Sequence, residues 1–293
     1  MASTLSPATT TSTVTAEVRE ELARRALAED APQGDLTTGL VVPGDTHCTS
    51  ELRARAAGVI SGTAMAGVVF DVTAEEDGAG PVEVSWKVED GARVEAGELL
   101  AVIRGPARTV LRAERVAINF LSHLSGVATL TRAFVDAARP ARILCTRKTI
   151  PGLRALEREA VLQGGGTLHR ASLSEAILIK DNHLRVAGSV AEAVRRARAG
   201  GVPIEVEAET LEQLDEALQT GAERILLDNP TPDLVREAVE RVGDAKRLEV
   251  SGGVTLETIG AIVEAGARLI SVGRLTHSAP ALDVSLEVIR ADG

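Results

Sequence analysis

The sequence predicts an α/β protein: an incomplete parallel α/β barrel together with an N-terminal α+β open-sandwich domain. Three observations carry that expectation. Beyond Arg142, short apolar runs begin near residues 143, 176, 203, 224, 248 and 269, with helix-like segments between most of them. Each run stops on a polar or glycine residue, and in a parallel barrel all strand ends converge on one mouth. Before Arg142 the texture differs, with the alternation of an antiparallel or mixed sheet over residues 47–104. Six runs fall short of the usual eight, so the barrel is expected to be incomplete.

Along the chain, residues 1–13 are Ser/Thr-rich and read as a disordered leader, without the cationic and apolar regions of a signal peptide. Residues 14–128 read as the sandwich domain with a long linking helix. Val14–Ala28 is an amphipathic helix by its apolar spacing. Cys48–Ala54 and Val82–Val88 alternate, Gly58–Gly62 is short and apolar, and Leu99–Ile103 is a further strand. A helix over Ala64–Thr73 lies against them. Ala107–His123 is a long helix with one buried stripe, and Arg108, Arg112 and Arg115 recur along one of its faces. The barrel is expected over 129–280, and residues 281–293 are expected to pack back on the N-terminal domain.

Composition excludes several classes of function. The 293 residues carry a net charge of −10, with three Phe, one Trp and no Tyr. An acidic surface poor in aromatic platforms argues against nucleic acid. No run of about 18 apolar residues exists, so no membrane span and a cytoplasmic location are expected. Cys48 and Cys145 have no zinc spacing, and Cys145 reads as a small core residue.

Residues 142–183 hold the densest chemistry. Ile143-Leu144-Cys145 stops at Thr146-Arg147-Lys148, and Ala176–Ile179 stops at Lys180-Asp181-Asn182-His183. Between Arg147 and Lys180 there are six Lys/Arg against three acids, on a chain that is acidic overall. A locally basic mouth on an acidic protein suits small anions. Arg154 and Arg158, four apart on a helix, fit a solvated face. Arg147, Lys148 and Lys180 are aimed at one end of the sheet. His169-Arg170 follows the glycines at 164–166, which come after a helix and so fail the context of a dinucleotide loop. Later strands end on Glu205 and Glu207, on Asp228, on Ser251-Gly252-Gly253 and on Val272-Gly273-Arg274. Glycine-rich loops opening onto helices offer backbone N–H groups to phosphate. Glu205 and Glu207 share one side of their strand and suggest ribose hydroxyls or hydrated magnesium, with Asp228 as the second acid.

The ordered motifs TRKT-PGLR, GGG-x-x-HR and IKDNH closely resemble the nicotinate-nucleotide pyrophosphorylase family, also called quinolinate phosphoribosyltransferase. The resemblance extends to Gly34-Asp35-Leu36-Thr37, to Glu114-Arg115 with Asn119, and to Leu124–Thr129. It implies transfer of phosphoribosyl from phosphoribosyl pyrophosphate to quinolinate with decarboxylation, assisted by Mg2+, in a homodimer. In the family's pattern Arg115 reaches the substrate carboxylates of the partner subunit. With it, Arg147, His169, Arg170 and Lys180 would hold the dicarboxylate, and Thr146 would also bind substrate. Lys148, Glu207 and Asp228 would be catalytic at the ribose–pyrophosphate end, with Glu207 and Asp228 toward the metal. Ser251, Gly252, Gly253, Val272, Gly273 and His277 would cradle the 5′-phosphate. Arg274 departs from the pattern, where a smaller or neutral residue is usual. Two other readings exist: a sister transferase of the same fold associated with molybdate transport, and a non-catalytic nucleotide sensor. The intact set Arg115, Arg147, Arg170 and Lys180 disfavours the first, and the retained Glu207 and Asp228 disfavour the second.

Overall fold

The computed structural model describes residues 14–292; the leader expected over 1–13 lies outside them. In chain order the elements are α1 (Ala16–Asp30), α2 (Leu36–Val41), β1 (His47–Ala54), β2 (Gly58–Val59), α3 (Thr63–Asp77), β3 (Glu83–Trp86), β4 (Arg93–Val94), β5 (Leu99–Pro106), α4 (Ala107–Ala137), β6 (Arg142–Leu144), α5 (Arg154–Gln163) and β7 (Ile177–Ile179). There follow α6 (Asp181–Ala187), α7 (Val190–Ala197), β8 (Ile204–Ala208), α8 (Leu211–Thr220), β9 (Arg224–Asp228), α9 (Pro232–Val242), β10 (Leu248–Ser251), α10 (Ile259–Glu264), β11 (Leu269–Ser271), α11 (Arg274–His277) and β12 (Val284–Asp292).

The chain forms two compact units. One contains residues 14–130, 155–164 and 279–292. Its main sheet has the order β12-β1-β5-β3, and β1 pairs antiparallel with both β12 and β5. Alternation sets the faces: Cys48, Ser50, Leu52 and Ala54 are buried while their neighbours are not. Helix α1 is capped by the Thr15 side chain at Val18 N–H and buries Ala23 and Leu27. Helix α4 runs well past the expected end at His123 because the apolar stripe continues through Leu124, Val127, Ala128 and Phe134, all buried. The helix expected around Arg154 and Arg158, here α5, clusters with this unit from Ala155 onward. Two histidines have local partners: His123 Nε2 lies 2.9 Å from buried Glu157, and exposed His47 bonds the Asp45 carbonyl.

The second unit contains residues 131–154 and 165–278. Its sheet is parallel throughout, in the order β6-β11-β10-β9-β8-β7. The strand first in sequence, β6, pairs with the last, β11, so the order is cyclic apart from one gap between β6 and β7. This is the incomplete parallel α/β barrel. One backbone bridge, Leu144 to Thr167, extends the edge beside the gap. The register puts Ile143, Val206, Ile225, Leu227, Val250 and Ile270 on one face, all nearly inaccessible. Full burial of such side chains contributes roughly 1.5–3 kcal/mol each. The other face carries Glu205, Glu207, Arg224, Asp228, Glu249 and Ser271, so this barrel interior is charged where branched aliphatics are the rule. No helix among the described residues is long and apolar enough to cross a membrane.

Candidate active site

Two clusters occupy the barrel unit. The first lies at the C-terminal strand ends. Asp228, closing β9, stands beside Ser251, closing β10, in strand register. Burial pushes the Asp228 carboxyl up, and so does the Glu207 charge, while Lys180 and Lys148 pull it down. These four side chains therefore share one electrostatic neighbourhood. Lys180 Nζ pairs with Glu207 Oε2, and Asp181 N–H donates to Glu207 Oε1 at 3.3 Å. Glu207 is nearly buried and Lys180 about half exposed, so an anion can reach the lysine.

Glycine shapes this end for backbone reasons. Gly252 has φ +83 and Gly253 φ +62, in the left-handed region. A side chain at Gly252 would collide with Asn229 Oδ1 and with Asp228 Oδ1. Asn229 is itself left-handed, its N–H bonding the Ser251 carbonyl at 2.8 Å and its amide the Asp228 Oδ2 at 2.9 Å. At Gly273 a Cβ would meet Lys148 Cδ at 2.8 Å, with His277 Nε2 and Thr146 Oγ1 at 3.5 and 3.6 Å from the same point. Thr276 Oγ1 donates to the Lys148 carbonyl at 2.6 Å and Thr146 Oγ1 accepts from Lys148 N–H at 3.0 Å, which ties β6 to α11. Val272 N–H donates to the Leu144 carbonyl, placing Gly273 beside the end of β6. Thus Thr146, Lys148, Lys180, Glu207, Asp228, Ser251–Gly253, Val272, Gly273 and His277 converge. Arg274 is exposed at the start of α11, and its charge helps bonds from Thr255 and the local backbone to lower the Glu257 carboxyl.

The second cluster is Arg147, His169 and Arg170. The Arg147 guanidinium makes no bond among the described residues, and its Nε is buried without a partner. Arg170 NH1 donates to the Ala176 carbonyl at 2.9 Å. Burial, then the Arg147 charge, holds the Arg170 guanidinium below its ordinary value. Arg154 is engaged with Thr149 and the carbonyls of Ala171 and Arg147 and so braces this loop. His169 has both ring nitrogens engaged: Nδ1 accepts from Arg170 N–H at 2.8 Å, and Nε2 lies 3.1 Å from Glu205 and 3.5 Å from Glu249. Arg224 reaches Glu249 at 3.3 Å. Burial pulls the His169 ring down, and the bond to Glu205 with the charges of Glu249 and Glu205 outweighs it and raises it. Burial, then Glu205, pushes the Glu249 carboxyl up to about 7.

The two acids of β8 thus divide, although they share one face. Glu205 serves His169 and Glu207 serves Lys180, so they do not form the joint ribose or metal site that their spacing suggested. His169, Arg170 and Glu205 also line a cavity of about 760 Å³ that runs to the N-terminal strand ends at Arg142, Lys246 and Arg268. Lys148, Glu207 and Asp228 do not line it. Residues 169, 205 and 249 come close enough to hold a metal ion. Arg224 already supplies a cation there, which disfavours a second. Glu249 and Arg224 were missed from the sequence. Their one signal was a charge inside an otherwise apolar strand run.

Arg115 belongs to the other unit. It is exposed and makes no hydrogen bond or ion pair among the described residues, whereas Arg112 on the same helix face pairs with Glu76 and Asp77. Arg108 donates to the carbonyls of Val42 and Gly39.

Comparison with known proteins agrees with the motifs. Residues 35–125 match the N-terminal domain of quinolinate phosphoribosyl transferase, and residues 127–287 match its C-terminal domain. A nicotinate-nucleotide pyrophosphorylase [carboxylating] of Mycobacterium leprae is 44% identical over 273 residues, covering 90% of this chain and 95% of that protein. A mitochondrial quinolinate phosphoribosyltransferase [decarboxylating] of Nicotiana tabacum is 40% identical, covering 92% and 82%. The crystal structure of NadC from Streptococcus pyogenes superposes with a TM-score of 0.87 at 34% identity, over 96% of this chain and 98% of that one. With both domain models matched in order and near-complete coverage, the chain belongs to the quinolinate phosphoribosyltransferase family.

Proposed function

We propose that the protein transfers the phosphoribosyl group of phosphoribosyl pyrophosphate to quinolinate with decarboxylation, giving nicotinate mononucleotide, pyrophosphate and carbon dioxide for NAD biosynthesis. The observation that carries this reading is Arg147. A guanidinium with a buried, unpartnered Nε beside a second arginine is electrostatically costly unless an anion completes it. A planar dicarboxylate offers two such anions, and arginine forks match carboxylates in pairs.

Arg147 and Arg170 hold the carboxylates, with Lys180 as a point charge at the edge. Gly252, Gly253 and Gly273 present backbone to the 5′-phosphate, with Ser251, Val272 and His277 around it. Lys148 balances the pyrophosphate. The ribose C1–oxygen bond breaks toward pyrophosphate and the ring nitrogen bonds C1. Positive charge that builds on the sugar faces Glu207 and Asp228. The quaternary nitrogen then accepts the electron pair released as carbon dioxide leaves, and a proton replaces it on carbon. Such a route needs position and charge, and no nucleophile.

Glu207 and Asp228 suit Mg2+. Asp228 is an acid pushed up by burial and by a second carboxylate, and magnesium takes few protein carboxylates beside phosphate oxygens. Bound there, the ion would neutralise the leaving pyrophosphate. Exposed, unpaired Arg115 fits completion of the site by a second subunit, in a cytoplasmic homodimer.

The test is an endpoint assay with quinolinate, phosphoribosyl pyrophosphate and Mg2+, following carbon dioxide and mononucleotide together. Stoichiometric release is expected, and none when nicotinate replaces quinolinate. Failure with quinolinate would return the sister transferase or the sensor.

A further inference from the structure

The buried charges behind Arg170 have no role in the chemistry above. Glu205 is 5% exposed and Glu249 is fully buried, on strands separated by β9, yet both point at one histidine. Two buried carboxylates repel, and among the described residues His169 and Arg224 are the basic groups set between them, with the Ser271 hydroxyl also favouring the charged Glu249. One oxygen of each, Glu205 Oε1 and Glu249 Oε1, has no hydrogen-bond partner among the described residues. Well-packed aliphatic side chains would be no less stable there, since buried ion pairs seldom recover their desolvation. What such a cluster does supply is a single orientation for whatever it holds.

The geometry of the ring says what is held. His169 Nδ1 accepts from Arg170 N–H at 2.8 Å, so Nδ1 carries no proton. The proton is on Nε2 and is donated toward Glu205 and Glu249. A ring fixed at Nε2 by two acids therefore fixes, through Nδ1, the backbone of the residue that carries the substrate-side guanidinium. His169 N–H contacts the Cys145 sulfur at 3.5 Å, which anchors the same turn to the end of β6. Neither ring nitrogen is left for a substrate carboxylate.

We propose that Glu249, together with Glu205, is a positioning residue for the dicarboxylate end of the site, acting through the His169 ring on Arg170. Under this assignment His169 orients the clamp and does not touch substrate. The inference rests on the phosphoribosyltransferase reading for its substrate.

The experiment is steady-state kinetics of Glu249→Gln with each substrate varied in turn, beside the wild-type protein. The amide keeps the volume and turns a hydrogen-bond acceptor against Nε2–H into a partial donor. KM for quinolinate should rise roughly tenfold, the scale of one lost charge-assisted hydrogen bond, while KM for phosphoribosyl pyrophosphate stays within about twofold. Glu249→Asp should recover part of the loss. Val250→Ala, on the opposite face of the same strand, is the control for packing and should lower Tm without splitting the two KM values. Equal changes in both KM values, or none, in Glu249→Gln would overturn the proposal. An inactive wild type would instead overturn the reading of the substrate. The second measurement needs no variant: nitrogen chemical shifts of His169 in the wild-type protein should show the Nε2–H tautomer. A ring protonated on Nδ1 would overturn the proposal even if Glu249→Gln fails to fold.

Discussion

The end of the site proposed for phosphate and the end proposed for the dicarboxylate are built from different material. At the phosphate end, Gly252, Gly253 and Gly273 let backbone approach closely, and Lys148 is held through backbone bonds to Thr146 and Thr276. At the other end, Arg170 follows His169, whose ring meets Glu205 and Glu249, and Glu249 in turn meets Arg224, so side chains from three more strands stand behind it. Backbone-built sites tolerate no added atom but need few partners. Sites built on buried charge tolerate isosteres in shape but not in charge. The two ends should therefore fail in different ways.

The largest effect is expected at Gly252. Alanine there must adopt a left-handed conformation and also displace Asn229 or Asp228. The backbone conformation alone costs roughly 1–2 kcal/mol, and the clash adds to it, so kcat/KM for phosphoribosyl pyrophosphate should fall by about a hundredfold. Quinolinate affinity, measured by calorimetry, should barely change. An unchanged kcat/KM in Gly252→Ala would remove the backbone argument. Next in size is Arg147→Ala. Loss of a charge-assisted hydrogen bond costs roughly 1.5–3 kcal/mol, or about 10- to 150-fold in quinolinate Kd. Phosphoribosyl pyrophosphate binding should move by only a few-fold. Equal loss of both ligands would show that the two ends are one site energetically.

The same division decides what the sequence could reveal. Strand starts near 143, 176, 203, 224, 248 and 269 were legible because each is an apolar run bounded by polar residues, and all six pair in one parallel sheet. The glycine-built end was legible because glycine marks a backbone need at a single position. The support behind Arg170 was not, because His169, Glu205, Arg224 and Glu249 are brought together only by curling the sheet. Spacing along the chain put Glu205 with Glu207, since alternate residues share a face. It could not say that the two point to different layers of the interior. Helix α4 was expected to end near His123, and α5 was expected with the barrel. The first was legible, since the apolar stripe continues through Leu124, Val127, Ala128 and Phe134; the second arises from contacts between elements distant in sequence, which periodicity within one helix does not encode.

The smallest expected effect is a pH dependence of stability that belongs to the dicarboxylate end alone. The Glu249 carboxyl is raised from 4.5 to about 7 by burial and by Glu205, and the His169 ring is raised as well. Both shifts have the same sign. Between about pH 4.5 and 7 the folded cluster binds more protons than the unfolded chain, so stability falls as pH rises through that window. The Arg170 N–H at Nδ1 favours placing the shared proton on a carboxylate, yet the slope is the same wherever it sits. Glu249→Gln removes the titrating carboxyl. Its Tm should therefore vary less with pH across this window than that of the wild type, with the two curves diverging most near neutrality. Gly252→Ala, at the other end, should follow the wild-type slope with a constant offset. Parallel curves for Glu249→Gln and the wild type would mean that Glu249 is ionised throughout, and the charge balance drawn around His169 would have to be redrawn with Arg224 as its main cation.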